Sequence, residues 1–207
     1  MSCSKDANVA ATQKIFQTRQ PVATLRHTIV GGPQRAQAEA FIADVFRRHY
    51  GAKVRSFAPN LMLLGDGERI TATAGWRCAG EDRLFLETYL DEPIETSVAR
   101  LAGQPVRREA IVEVGNLAAD RPGGSVDVIL NLARHLDRLG YEWVVFTATR
   151  ELIGIFRRLG LPPLALACAD PARLGPDAAD WGSYYDSQPV VVAGRIRLAL
   201  EMVKRHG

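Results

Sequence analysis

The sequence predicts a mixed α/β (α+β) domain, a central sheet flanked by helices. Three observations carry this. Helical and strand patterns alternate from residue 109 onward, the ordering that buries a sheet between helices. Residues 61–64, the run Gly65-Asp66-Gly67 and residues 69–79 read as strand, hairpin turn and returning strand. At residues 109–138 every local signal agrees: an apolar strand, a glycine turn and an amphipathic helix.

Taken in order, residues 1–20 are polar and read as a flexible segment, leaving residues 21–207 as one domain. Pro33 is suited to the first position of a helix that carries Phe41, Ile42, Val45 and Phe46 and ends at Gly51. After the hairpin, residues 84–89 form an apolar-aromatic segment and residues 94–101 a short helix. The strand 109–118 leads into the turn Arg121-Pro122-Gly123-Gly124-Ser125. The next helix sets Val126, Ile129, Leu130, Ala133 and Leu136 on one face, with Ser125 as N-cap and Gly140 as terminator. Residues 142–147 are a buried strand. Residues 150–159 are a helix with Leu152, Ile155, Phe156 and Leu159 inward. Strands at 164–169 and 190–193 bracket a polar, aromatic loop, and residues 195–205 form a basic amphipathic helix.

Composition bounds the function. A chain of 207 residues supports one sizeable core, and 47% hydrophobic with 24% charged residues is ordinary for a globular protein. A net charge of +3 is too small for a nucleic-acid footprint, so no nucleic-acid partner is expected. Cys3, Cys78 and Cys168 have no CxxC spacing; Cys78 and Cys168 read as small buried hydrophobes. His27, His49, His135 and His206 show no metal-ligand spacing, so no metal is expected. The N-terminal region lacks the apolar core of a secretory signal, and no apolar run has membrane-spanning length. A cytoplasmic protein follows, with membrane contact at most peripheral.

The chemistry centres on residues 111–125. Two glycines between a strand and a helix N-terminus let unpaired amides approach a phosphate, where the helix dipole favours an anion. The same turn also serves as a tight connection with no ligand. Glu113 sits in the apolar run Ile-Val-Glu-Val. Pointing inward it must be paired, or its pKa rises by desolvation toward the range a base for an amine needs. Pointing outward it is a solvated strand residue. Asn116 and the amides after Gly115 would stabilise a tetrahedral oxyanion, or mark a hydrated β-bulge.

The strand and turn 111–125, the strand 142–147 and the helix ending Phe156-Arg157-Arg158-Leu159-Gly160-Leu161 resemble the GNAT N-acyltransferase core. Arg121 and Gly124 match an Arg-x-x-Gly start, but Val126 stands where a small residue is expected. Longer blocks resemble the thermostable hemolysin family: Phe85-Leu86-Glu87-Thr88-Tyr89-Leu90-Asp91, Glu113-Val114-Gly115-Asn116-Leu117-Ala118, Phe146-Thr147-Ala148-Thr149 and Trp181-Gly182-Ser183-Tyr184-Tyr185. That family is similar in layout to acyl-homoserine-lactone autoinducer synthases, although their Ser-Arg-Phe after the glutamate is absent.

The resemblance implies a GNAT-like mixed, mostly antiparallel central sheet flanked by helices and splayed at the fourth core strand. It implies an acyl donor, acyl-CoA or the phosphopantetheine of an acidic acyl carrier protein, and a small amine acceptor. Gly115, Leu117, Arg121, Gly123, Gly124, Ser125, Thr147 and Phe156 would hold the donor. Glu113 and Asn116 would be catalytic, with Tyr184 as acid because Phe156 stands where many such enzymes carry tyrosine. Arg77, Glu87, Asp91, Trp181 and Tyr185 would hold the acceptor. The outward readings are surface placement for Arg77, Glu87 and Asp91, and a packed loop for the tyrosines. Two function classes follow: an N-acyltransferase moving a fatty acyl group, and a membrane-active cytolysin working through the basic helix.

Overall fold

The structure, a computed structural model, describes residues 24–121 and 123–206. The expected flexible segment, residues 1–20, lies outside the described residues. Seven strands form one sheet: β1 (Thr24–Ile29), β2 (Asn60–Asp66), β3 (Arg69–Cys78), β4 (Ile111–Ala119), β5 (Trp143–Ala148), β6 (Leu164–Cys168) and β7 (Val190–Arg195). Their order is β1-β2-β3-β4-β5-β7-β6. Every pairing is antiparallel except β4 with β5. Among the described residues five α-helices accompany it: α1 (Arg35–Tyr50), α2 (Ile94–Ala102), α3 (Gly124–Arg138), α4 (Arg150–Arg158) and α5 (Ile196–His206). Among the described residues no helix is long and apolar enough to cross a membrane.

Strand alternation sends β2 side chains to opposite faces. Leu61 and Leu63 pack with Ala38, Ile42 and Val45 of α1. Met62 and Leu64 pack with Val128, Leu132 and Leu136 of α3. Each large aliphatic buried this way contributes roughly 1.5–3 kcal/mol relative to exposure. A third cluster joins the short 3-10 helix Phe85–Tyr89 and α2 to β4, β5 and β7 through Leu86, Ile94, Ile111, Val145 and Val191.

Several expectations need correction. The hairpin turns one step later than expected, at Gly67-Glu68, because β2 keeps pairing to Asp66. Helix α1 starts at Arg35, not Pro33, because Gln34 is left-handed at φ 61°. Arg35 is buried, donating to the carbonyls of Ala58 and Pro59 and pairing with Glu39. Ser125 is not the N-cap of α3; Gly123, at φ 85°, holds that position, a conformation that suits glycine. The core face of α3 is Val128, Leu132 and Leu136, while Ile129, Leu130 and Ala133 line a cavity on its flank. The helix therefore meets sheet on one side and a gap on the other, which broadens its apolar stripe. Cys78 is buried as expected, but Cys168 is exposed because β6 is an edge strand. Strand β1 was not anticipated.

Candidate active site

The sheet opens beside β4. Parallel pairing with β5 runs from Ile111↔Trp143 to Val114↔Phe146 and stops. Beyond it β5 stays with β7 through Ala148, while β4 stays with β3 through Ala119. The two halves of the sheet diverge there. Opposite Thr73 and Gly75, β4 runs from Ala118 to Gly115, one residue longer than its partner, which is a bulge. Asn116 in that bulge is left-handed at φ 48°, an uncommon state for a residue with a side chain. It is held by both ends. Its Oδ1 accepts from the Ala58 amide at 2.8 Å, and its backbone carbonyl accepts from Thr73 Oγ1 at 3.2 Å. Asn116 thus fastens the segment before β2 to the bulge.

A cavity of about 430 Å³ occupies the divergence. Glu113, Gly115, Asn116 and Leu117 of β4 form one wall, with Thr147 of β5 among the lining residues. Its lining changes character from one side to the other. Toward α3, α4 and α5 it is apolar, with Ile129, Ala133, Ile155, Phe156, Ala199 and Val203. Phe156 rests on Phe146, ring centroids 5.1 Å apart. Helix α4 has no fully buried residue, so its expected inward face looks onto this cavity. Toward the Phe85–Tyr89 helix and α1 the lining is aromatic and polar, with Arg77, Glu113, Phe46, Tyr50, Trp181 and Tyr184. The apolar face of α5 is turned to the cavity, so the basic helix does not present it to a membrane.

Glu113 and Arg77 are direct cross-strand partners. Arg77 Nε lies 3.4 Å from Glu113 Oε2. That carboxylate also accepts from the amides of Phe85 and Leu86, each at 2.9 Å. Glu113 is 7% exposed. Burial pushes its carboxyl up; the Phe85 and Leu86 amides and Arg77 pull it down without cancelling that effect. Glu113 therefore points inward, paired, with its pKa raised.

The aromatic side is built by a segment returning over the sheet, 3-10 helices Pro171–Trp181 and Tyr184–Ser187. Gly182 makes the approach possible: at φ 53°, a Cβ there would run into the Tyr50 carbonyl, which accepts from the Ser183 amide at 2.8 Å. Lys53 donates its amide to the Asp180 carbonyl at 2.6 Å. The hydroxyls of Tyr89 and Tyr185 are hydrogen-bonded to each other. Tyr184 stacks near Phe46 and meets Tyr50 edge-on at 5.2 Å. Burial, then Tyr50 and Tyr89, push its phenol above the usual range.

The remaining predicted residues fall outside. Glu87 does not line the cavity. Arg108 pairs with it at 2.6 Å, and the amides of Leu84 and Ile94 donate to it. Burial acts to raise its carboxyl, but Arg108 and those amides outweigh burial and hold it at about 2. Asp91 is an exposed partner of Arg173, at 2.5 Å. Neither carboxylate is free to hold an ammonium in the cavity. Arg121 and Gly123 are exposed beyond its edge, and Gly124 packs against Ala119 and Ala72, while Ser125 behind them lines it. Phe46, Tyr50, Phe85 and Tyr89 were missed as lining residues; Phe46 and Tyr50 carry no signal beyond aromatic character, and Phe85 and Tyr89 stand in a family block that gave them no role. No group of three or more His, Cys, Asp or Glu able to hold a metal occurs among the described residues.

A bulged fourth strand, a parallel β4–β5 pair that splays and a glycine turn into α3 define a GNAT-like acyltransferase fold. The sequence profile of the thermostable hemolysin family matches residues 30–200, and the chain belongs to that family. A search of curated proteins finds no match. Among solved structures the chain is similar to FeeM, an N-acyl amino acid synthase from uncultured soil microbes. The TM-score is 0.57 at 12% identity, covering 86% of this chain and 93% of that one. It is similar to BjaI, a CoA-dependent acyl-homoserine lactone synthase solved with SAM and isopentyl-CoA, with TM-score 0.57, 13% identity and 89% of each chain covered. It is also similar to the AHL synthase LasI, with TM-score 0.57, 13% identity, and 86% and 95% covered. At these identities the likeness is one of fold.

Proposed function

We propose that this protein is an N-acyltransferase that moves a fatty acyl group from acyl-CoA or an acyl carrier protein to an amine or amino-acid-like acceptor, in the cytoplasm and without a metal. The carrying observation is the single cavity that joins an apolar compartment to the buried Arg77–Glu113 pair through the splayed sheet. The donor's phosphates would meet the turn Arg121, Gly123, Gly124 and Ser125, and its arm would pass Gly115, Leu117, Thr147 and Phe156. The acyl tail suits the compartment between α3, α4 and α5, which offers methylene contact and little polarity.

On the aromatic side the acceptor would lie against Trp181 and Tyr185, with a carboxylate on Arg77. Its nitrogen attacks the thioester carbonyl and gives a proton to the Glu113 carboxylate. The raised pKa of Glu113 suits that transfer. Asn116 and the β4 amides beyond the end of β5 pairing would receive the oxyanion. The C–S bond then breaks, and Tyr184 protonates the leaving thiolate.

Purified protein would be incubated with acyl-thioesters of graded chain length and a panel of amines, following free thiol. In parallel, lipids extracted from cells making wild type or Glu113→Ala would be compared by mass spectrometry. Acyl-dependent thiol release and an amide product absent from the variant are expected. No binding of any acyl-thioester would end the proposal.

A further inference from the structure

The outer faces of α3, α4 and α5 take no part in the chemistry above. These three helices carry eight Lys or Arg against four Asp or Glu, a larger positive excess than the whole chain's +3. Arg134 and Arg138 of α3, Arg157 and Arg158 of α4, and Lys204 and Arg205 of α5 are exposed. None of these six meets an acid within ion-pair distance among the described residues. Arg197 does, lying 3.5 Å from Asp137. That pair ties the last turn of α3 to the first turn of α5. Close to Asp137 and Arg197 in the chain are Leu139, 56% exposed, and Leu198, 53% exposed. Ile29 and Val30 are as open elsewhere, at 55% and 70%; what marks this pair is the arginine next to each leucine, Arg138 and Arg197. Beneath them, the inner faces of the same helices wall the apolar compartment of the cavity.

We infer that this face seats the protein on an anionic lipid surface. Leu139 and Leu198 enter the headgroup layer. The arginines and Lys204 reach phosphates while their stems lie along apolar surface. Two open leucines framed by cations suit shallow insertion better than contact with a soluble acidic protein, which would answer the charge alone. The docking stands on charge and exposure. Only its use, passing an acylated product straight into a bilayer, rests on the acyl-transfer reading.

Full-length protein would be floated with vesicles of phosphatidylcholine alone or of phosphatidylcholine and phosphatidylglycerol in equal parts. Binding to the anionic vesicles only, weakened by added salt, is expected. Replacing Arg134, Arg138 and Arg205 by Glu lowers partitioning by roughly fivefold or more per cation. Leu139→Ser with Leu198→Ser lowers it with the charge intact. Circular dichroism checks that both variants fold. Thiol release from a short-chain, water-soluble acyl-thioester stays at the wild-type rate in both. Absence of anionic-vesicle binding by wild type, equal binding to both vesicle types, or undiminished binding by the folded variants overturns the inference. So does a wild type that ignores vesicles yet holds an acidic acyl carrier protein through the same arginines. If vesicles bind and no thioester is ever turned over, the docking stands and the acyl-transfer reading falls.

Discussion

Two glutamates anchor the 3-10 helix Phe85–Tyr89, and they have opposite fates. Glu113 reaches it from β4 and accepts from Phe85 and Leu86; Glu87 lies within it and accepts from Leu84 and Ile94. Each has an arginine. Arg108 grips Glu87 through two hydrogen bonds, of 2.6 and 2.9 Å, and donates a third, of 2.6 Å, to Glu95, whereas Arg77 stands 3.4 Å from Glu113. The tight grip fixes charge on Glu87, at about 2; the loose one leaves desolvation dominant at Glu113. A carboxylate held that firmly is a structural fastening. One raised by burial and facing a cavity is available for proton transfer.

The strongest way to break this contrast is Glu113→Gln. Thiol release is expected to fall about 100-fold or more, as for loss of a general base, while the protein stays folded by circular dichroism. Full activity in this variant would remove Glu113 from the chemistry. Next, Arg108→Ala strands Glu87 and Glu95 together and is expected to cost about 3 kcal/mol in denaturant unfolding. Glu87→Gln keeps the shape and loses the charge, and should cost about 1–2 kcal/mol with the turnover of the surviving folded protein unchanged.

The pH dependence sharpens the same comparison. Glu87 is depressed, so its stabilisation is present above its ordinary value of 4.5 and is lost as pH falls toward about 2. Glu113 is raised, so the folded state favours its protonated form. Its contribution is present below 4.5 and fades as pH rises through its folded value. Unfolding curves of Glu87→Gln should flatten on the acid limb, and those of Glu113→Gln on the limb above 4.5. The smallest effect is expected at Asp91. Its exposed pair with Arg173 should make Asp91→Asn change stability by less than about 0.5 kcal/mol.

The contrast was only half legible in the sequence. Residues 111–125 and α3 announce themselves through an apolar strand, paired glycines and helical periodicity, all local signals. Glu113 stood out as a charge within an apolar run. Glu87 read as an acceptor-binding residue or a solvated charge, because its pairing with Arg108 spans 21 residues and leaves no pattern. Ser125 misled as an N-cap because Gly123 takes the left-handed turn. The tyrosines near residue 185 were noticed. Their partners Tyr50 and Tyr89 were not, since those contacts join segments 96 or more residues apart.

By itself the sequence determined the alternation of strands and helices, the glycine bend before α3 and the family to which the chain belongs. The first two depend on propensity and periodicity, which act over a few neighbours, while the family rests on matching residue blocks along residues 30–200. Tertiary structure alone decided where the sheet divides, which of two similar carboxyls burial raises and which an arginine holds down, and which apolar helix faces enclose a cavity. Desolvation and cross-strand pairing depend on what lies across space, and chain order does not record that.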